Sequence, residues 1–138
     1  MSARRRIKVS LGRAAVDAWR AAQEDGATPT DRATTATAVR FTLEELAARA
    51  PGQALEVRVP PFGATQCIAG PVHRRGTPPA VVEMSPQVWL ELATGRVSWA
   101  SAVASGDIDA SGERADLSEH IPLTDELPKT IESPARGA

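Results

Sequence analysis

Two short helices between two strands, within residues 80–112, constrain the fold of this chain more than any other feature. The first helix is predicted to begin at the N-cap Ser85, with Pro86 at its first helical position, and to end at Gly95. The second is predicted to begin at Ser98 and to end at Gly106. Each helix has its own start and stop signal, so the order of elements in this half of the chain is well defined.

The strands on either side of these helices have different patterns. Ala80 to Met84 is mostly apolar, which predicts a strand in the centre of a sheet. Asp107 to Ser111 alternates acidic residues with Ile108 and Ala110, which predicts a strand with those two side chains inward. Asp107 and Asp109 could form a carboxylate pair, but a solvated strand edge that resists aggregation is the interpretation we prefer.

Upstream of these elements, a hairpin is predicted. Leu55 to Val59 has the alternating pattern of a strand with one wet face, and the proline-containing residues 60–63 must turn. The returning strand is predicted from Thr65 to Ala69. Because strands and helices are segregated along the chain, we predict an α+β fold: a mostly antiparallel sheet of about five strands, covered on one face by helices.

The N-terminal third is predicted to hold two more helices. Ser10 to Glu24 has helical periodicity, with Ser10 as the N-cap. The apolar stripe of this helix is predicted to contain Leu11, Ala15, Ala18 and Ala22, with Val16 and Trp19 beside it. Asp25 to Thr37 is predicted to be a linker, rich in Thr and Ala. Thr42 and Glu45 then have the spacing of a capping box, which predicts a helix from Thr42 through Ala50.

We divide the chain into three parts. Residues 1–33 hold the N-terminal helix and linker, residues 34–123 form the domain, and residues 124–138 are expected to be a flexible tail. A short helix from about Ala115 to His120 is predicted to close the domain.

Composition narrows the class of protein. A chain of 138 residues with 42% hydrophobic and 24% charged residues can form one hydrophobic core. It has no apolar stretch near the ~20 residues that a membrane-spanning helix needs, and no secretory signal is expected. One cysteine, Cys67, favours a reducing, cytoplasmic location. A net charge of −1 argues against a nucleic-acid partner.

Charge is distributed unevenly along the chain. Residues 1–24 contain six basic and two acidic side chains, whereas residues 107–138 contain three basic and eight acidic ones. The basic N-terminus suggests transient contact with an anionic membrane through Arg4, Arg5, Arg6 and Lys8. The alternative is a solvated terminal segment.

The glycines of the second half complete a pattern that resembles a known family. Gly95, Gly106 and Gly112 follow two helices and a strand, and Thr94-Gly95-Arg96 ends the first helix. This order resembles the second half of a sterol carrier protein domain. Residues 57–83, with Val-Pro-Pro-Phe-Gly at 59–63, resemble the stand-alone bacterial branch of the family. The resemblance covers about Val39 to Leu123.

The resemblance implies an apolar tunnel between helices and sheet, and a non-enzymatic role in binding or carrying a lipid or other apolar small molecule. The side chains that we predict to line the apolar pocket are Phe62, Val82, Met84, Trp89, Leu92, Trp99 and Val103. The loop from Gly70 to Pro79 contains His73, Arg74 and Arg75, which are candidates for contacting a ligand head group because arginine binds carboxylate or phosphate bidentately. A solvated basic loop is the alternative.

The sequence offers little support for catalysis. Cys67 lies within a predicted strand, where a buried structural thiol is the better interpretation. His73 and His120 come with no cysteine cluster or paired-carboxylate motif, so no metal site is predicted, and no cofactor motif is found.

Two classes of function therefore stay open, with a third considered less favourable. The first is a lipid or apolar-ligand carrier, and the second is a protein-interaction module of the same fold with a filled core and no lipid. The third is an enzyme that uses Cys67 and His73. A cavity of roughly 300 Å³ or more would favour the first over the second.

Overall fold

The elements of the fold follow one another in the order of two helices, three strands, two helices and a strand. The computed structural model describes residues 6–26, 30–70, 80–112 and 115–123. In these residues the helices are α1 (Val9–Glu24), α2 (Arg32–Arg49), α3 (Pro86–Ala93) and α4 (Trp99–Ala104). The strands are β1 (Leu55–Val59), β2 (Gly63–Cys67), β3 (Ala80–Glu83) and β4 (Asp109–Ser111). This arrangement confirms the predicted α+β class.

The sheet of the described residues has four strands in the order β2-β1-β3-β4, and it is mixed. β1 and β2 form the predicted antiparallel hairpin, with Leu55 opposite Cys67. β1 and β3 are parallel, with Leu55 opposite Ala80, and β3 and β4 are antiparallel. The prediction of about five mostly antiparallel strands is therefore wrong in number and direction. Alternation of apolar residues sets which side chains face the core, but it carries no information about the direction of the neighbouring strand.

One face of the sheet forms the floor of the core. Val57, Val82 and Cys67 are fully buried on this face, whereas Arg58 on the opposite face is exposed. β3 is an inner strand, as predicted. β2 begins two residues earlier than predicted, at Gly63.

α2 is much longer than the sequence pattern predicts. It begins at Arg32, within the segment predicted to be a linker, and Thr42 lies in its middle. The hydroxyl of Thr42 donates to the carbonyl oxygens of Ala38 (2.7 Å) and Val39 (2.9 Å), as helix-interior threonines do, so the capping box is wrong. The helix extends in the N-terminal direction because Ala38, Val39 and Phe41 are buried in the core.

α1 packs along α2 and contributes to the same hydrophobic core. Its buried residues are Gly12, Ala15, Val16 and Trp19. The predicted stripe is therefore rotated: Ala15 is buried, but Leu11 is 60% exposed and Ala18 is exposed. The helix begins at Val9 with Lys8 as its N-cap, so Ser10 is not the cap. The domain boundary at residue 33 stays a prediction, although the helix before it shares the core.

The ends of α3 and α4 are as predicted. The backbone N–H groups of Val88 and Ser101 donate to the hydroxyls of Ser85 and Ser98, both at 3.1 Å. Gly95 follows α3 with φ +80°, a conformation that favours glycine.

The last predicted elements differ from the structure. β4 is shorter than predicted, and Ala110, which was expected to face inward, is exposed on this edge strand. Residues 115–123 form turns and extended chain instead of the predicted helix, with Leu117 and Leu123 buried in the core. The predicted flexible tail, residues 124–138, lies outside the described residues.

Candidate functional site

Three of the residues predicted to line an apolar pocket are in the packed core. Val82 and Trp89 are fully buried, and Met84 is 4% exposed. The indole N–H of Trp89 donates to the hydroxyl oxygen of Thr42 at 2.7 Å, so the polar group of this buried side chain is satisfied. The location of these residues explains their apolar character by packing alone, and a role as pocket wall stays a prediction.

Two further candidates are not among the fully buried residues of this core. Phe62, in the turn between β1 and β2, is half-buried, and the guanidinium of Arg32 lies 5.0 Å from the centroid of its ring. Val103 on α4 is 50% exposed. The helical spacing predicted that Val103 faces the core. This prediction is wrong, because the buried residue of α4 is Ala102.

The other two candidates, Leu92 and Trp99, lie in a groove of about 360 Å³, where α3 ends and α4 begins. We call it the α3–α4 groove. It is lined by Leu92, Gly95, Val97, Ser98, Trp99, Ala100, Ser118, Ile121 and Pro122. Most of these side chains are apolar, and none is charged.

One wall of the α3–α4 groove is formed by the chain segment that contains Ser118, Ile121 and Pro122. Hydrogen bonds connect this segment to the ends of α2 and α3. The N–H of Leu123 donates to the carbonyl oxygen of Ala93 at 2.8 Å. The guanidinium of Arg49 donates to the carbonyl oxygen of Leu123 at 2.9 Å and pairs with the buried Glu45 at 2.7 Å. These bonds hold the chain beside the groove although it has no regular secondary structure.

Gly95 lets this wall approach α3 closely. A Cβ atom at this position would lie 3.3 Å from Pro122, and the positive φ already favours glycine. Sequence reasoning missed Val97, Ile121 and Pro122 because they lie outside the helices, where no periodicity marks them. The proline after Ile121 was the available signal for a fixed backbone.

Acidic groups flank the groove at Ser118. The N–H of Ser118 donates to Oδ1 of Asp116 at 2.7 Å, and this bond lowers the pKa of the Asp116 carboxyl. Asp116 is therefore ionised at neutral pH. The neighbouring Glu119 is exposed, as is Arg96, which lies in the sequence between the lining residues Gly95 and Val97.

The polar candidates are only partly described. His73, Arg74 and Arg75 lie outside the described residues, as do Arg4 and Arg5. Arg6 and Lys8 are exposed. The N–H groups of Arg6 and Ile7 donate to Oε1 of Glu44, at 3.1 and 3.2 Å, which ties the start of this segment to α2.

The thiol of Cys67 is poorly suited to nucleophilic catalysis. It is fully buried, and this burial raises its pKa from about 9 to about 11. Within the described part of the chain, no three His, Cys, Asp or Glu side chains come together as a metal site requires. None of the helices described is both long and apolar enough to cross a lipid bilayer.

The mixed sheet and the helices that pack with it define an α+β domain. The family model described as bacterial SCP ortholog matches residues 31–123. The chain belongs to this family, which confirms the resemblance found in the sequence. A comparison of this chain with curated proteins found no match.

Proposed function

We propose that this protein binds an apolar small molecule in the α3–α4 groove and acts as a non-enzymatic carrier. The observation that carries the proposal is the groove itself, with a volume of about 360 Å³ and a largely apolar lining. Ligand pockets in proteins have volumes of roughly 300–1,000 Å³, so this groove suits a small ligand or one part of a larger one.

Binding of an apolar ligand in such a site requires no catalytic group. Moving one CH₂ group out of water contributes about 0.8 kcal/mol. Several such groups against the half-buried Val97, Trp99 and Ile121 could therefore give useful affinity after the entropic cost of binding. This supports a reversible carrier.

A dye-binding experiment with two variants of α4 tests the groove. Ala100 lines the groove, whereas the adjacent Ser101 does not, and both are exposed. Ala100→Phe fills the groove and is expected to weaken binding of the neutral apolar dye Nile red by about tenfold or more. Ser101→Phe adds the same ring outside the groove and should leave the affinity unchanged. Equal affinity of wild type and Ala100→Phe for Nile red would remove the groove from the proposal.

A carrier must also meet a membrane, and the basic N-terminus is the surface that we propose for this contact. Arg6 and Lys8 are exposed close to Leu11, a large apolar side chain that is 60% exposed. Arg4 and Arg5 precede them in the sequence. Each basic residue near an anionic lipid surface contributes about 1 kcal/mol, which would give weak, reversible attachment.

Co-sedimentation with anionic vesicles tests this contact. Replacing Arg4, Arg5, Arg6 and Lys8 by Gln removes the charge but retains the backbone bonds to Glu44. We expect this variant to lose most vesicle binding at low salt, and Arg20→Gln, on an exposed site of α1, to lose little. Unchanged binding of the fourfold variant would show that this segment is no membrane anchor.

A second candidate function is a protein-interaction module with a filled core. The complete burial of Val82 and Trp89 favours it, because a filled interior leaves those side chains no ligand to contact. Native mass spectrometry of protein purified from its own host separates the two. A carrier is expected to retain a small apolar molecule, whereas an interaction module is expected to retain none.

A further inference from the structure

We propose that the free edge of β2 binds an extended acidic segment of a partner protein, which joins the sheet as a further strand. β2 lies at one end of the strand order β2-β1-β3-β4, and β1 is its neighbour on the other side. This edge is separate from the lining of the α3–α4 groove, so the inference goes beyond the proposed function. In strand addition, main-chain hydrogen bonds give the affinity and side chains give the specificity.

The pairing of β1 with β2 decides which backbone groups of β2 are free. Val59 and Gly63 lie opposite each other at the end of the hairpin, and Pro60 between them has no N–H group. In an antiparallel ladder, paired residues either exchange two hydrogen bonds or lie between the bonds of their neighbours. The second arrangement would need the N–H that Pro60 lacks, so Val59 and Gly63 exchange bonds themselves. Alternation along the strand then directs the N–H and C=O groups of Ala64 and Gln66 away from β1.

These outward groups are accessible, because Ala64 and Gln66 are both exposed. Within the described ranges, the one further hydrogen bond to them is the Thr65 hydroxyl on the carbonyl oxygen of Gln66, at the long distance of 3.5 Å. β2 also lacks the charged side chains and prolines that protect edge strands. At the other edge of the sheet, β4 is three residues long and begins with Asp109. β2 is therefore the edge that can accept another strand.

Two arginines of α2 lie beside the Gly63 end of this edge. The Nε of Arg40 donates to the carbonyl oxygen of Phe62 at 2.9 Å, and a Cβ atom at Gly63 would lie 3.8 Å from the Cγ of Arg40. The guanidinium of Arg32 lies 5.0 Å from the centroid of the Phe62 ring. Both arginines are exposed, and in the part of the chain that the structure describes neither forms an ion pair with a carboxylate. Phe62 thus holds two cations next to the start of β2.

The acidic groups near this edge leave the excess charge positive at the hairpin turn. Glu56 on β1 is paired with Arg58 at 3.2 Å. Asp31 precedes Arg32 in the sequence and offsets part of its charge, whereas Arg40 has no such neighbour. Exposed charges contribute little affinity because water and salt screen them. We therefore assign the affinity to the backbone bonds of the edge, and the preference for an acidic segment to Arg40 and Arg32.

Fluorescence anisotropy of labelled hexapeptides tests the proposal on the full chain. The probes are Thr-Val-Thr-Val-Asp-Asp and Thr-Val-Thr-Val-Lys-Lys, both with amidated C-termini. The acidic residues are at the C-terminal end because an antiparallel strand would place that end beside the hairpin turn. At low salt, we expect the acidic probe to bind about tenfold or more tightly than the lysine probe. An acidic probe with methylated backbone nitrogens at all Thr and Val residues has no such donors for the edge and should not bind.

Variants of the protein locate the binding site. Ala64→Pro removes an N–H that points away from β1, a change that edge strands tolerate, so its circular dichroism should match that of the wild type. We expect it to bind the acidic probe about tenfold or more weakly. Arg40→Gln should weaken binding several-fold and Arg40→Lys less. Arg20→Gln, at an exposed site of α1, is the control and should bind as the wild type does.

Each contrary outcome overturns the proposal. Absence of binding by the acidic probe, equal binding of the acidic and lysine probes, or binding of the methylated probe would do so. Undiminished binding by a folded Ala64→Pro variant would place the probe elsewhere and have the same consequence. A dimer in size-exclusion chromatography that Ala64→Pro dissociates would assign the edge to a second copy of the chain instead of a partner protein.

Discussion

The hydroxyl of Thr42 joins two helices inside the core. It accepts the indole N–H of Trp89 at 2.7 Å and donates to the carbonyl oxygens of its own helix. Thr42 is 1% exposed and Trp89 is fully buried, so water cannot replace this bond. A buried donor left without a partner costs about 1–3 kcal/mol, more than an average hydrogen bond contributes.

Thr42→Val therefore tests whether this bond stabilises the helical layer. Valine has nearly the shape of threonine but cannot accept the indole N–H. We expect the free energy of unfolding to fall by about 1–3 kcal/mol in chemical denaturation. Thr42→Ser retains the hydroxyl and is the control. If Thr42→Val were as stable as Thr42→Ser, the hydrogen bond to Trp89 would have no part in stability.

The burial of Cys67 predicts that the free energy of unfolding depends on pH in the alkaline range. Burial raises its pKa from about 9 in the unfolded chain to about 11 in the folded protein, so between these values the folded state holds a proton that the unfolded state has lost. The stabilisation from the protonated thiol is complete below pH 9 and is lost as the pH rises to 11. We expect the free energy of unfolding to fall by about 2–3 kcal/mol across this range.

The chain has no tyrosine, so few other groups titrate in the same range of pH. Cys67→Ala should remove most of the decline, whatever its effect on stability at neutral pH. Native protein should also react slowly with thiol reagents at neutral pH. Rapid reaction of the native thiol would contradict the burial on which both expectations depend.

At the scale of elements, the contact between α1 and α2 depends on Gly12. A Cβ atom there would overlap the ring of Phe41, so the two helices could not stay this close. Gly12→Ala should lower stability by about 1–3 kcal/mol in thermal or chemical unfolding, although alanine favours helices more than glycine does. Ser10→Ala, at an exposed site of the same helix, should have little effect. Greater stability of Gly12→Ala would mean that the two helices are farther apart than described.

The elements that could be predicted are those with local signals. α3 and α4 have serine N-caps and glycine stops, and the hairpin of β1 and β2 has alternating residues around a proline turn. The start of α2 could not be found, because the signal at Thr42 is also compatible with a helix interior. Only the burial of Ala38 and Phe41 against other elements reveals the longer helix.

The candidate site, too, could be predicted only where its residues follow a local sequence pattern. Helical periodicity selected Leu92 and Trp99, which lie in the groove, but it equally selected Val103, which is half-exposed. The opposite wall, with Ile121 and Pro122, depends on the long-range bonds of Leu123 to Ala93 and Arg49. Contacts between residues so distant in sequence leave no local pattern.

At the scale of the whole molecule, α1 lies outside the residues matched by the family model, yet its side chains complete the core. Trp19 and Val16 are 2% and 1% exposed. A chain that begins at residue 30 should therefore be strongly destabilised, because loss of a buried tryptophan alone costs about 3–5 kcal/mol. Thermal unfolding of this truncated chain, with full-length Trp19→Ala for comparison, measures the effect. An unchanged midpoint would support a domain that is independent of α1.

The central claim is that the ligand occupies the α3–α4 groove and not the packed interior, and the three tryptophans of the chain report on it separately. Trp99 lies in the groove, Trp89 in the core between helices and sheet, and Trp19 on α1. The most direct measurement is an NMR titration of the three indole N–H signals with decanol. The account predicts that the Trp99 signal shifts in a saturable way while those of Trp89 and Trp19 stay in place. A shift of the Trp89 signal with Trp99 unmoved, or no shift of any signal, would contradict it.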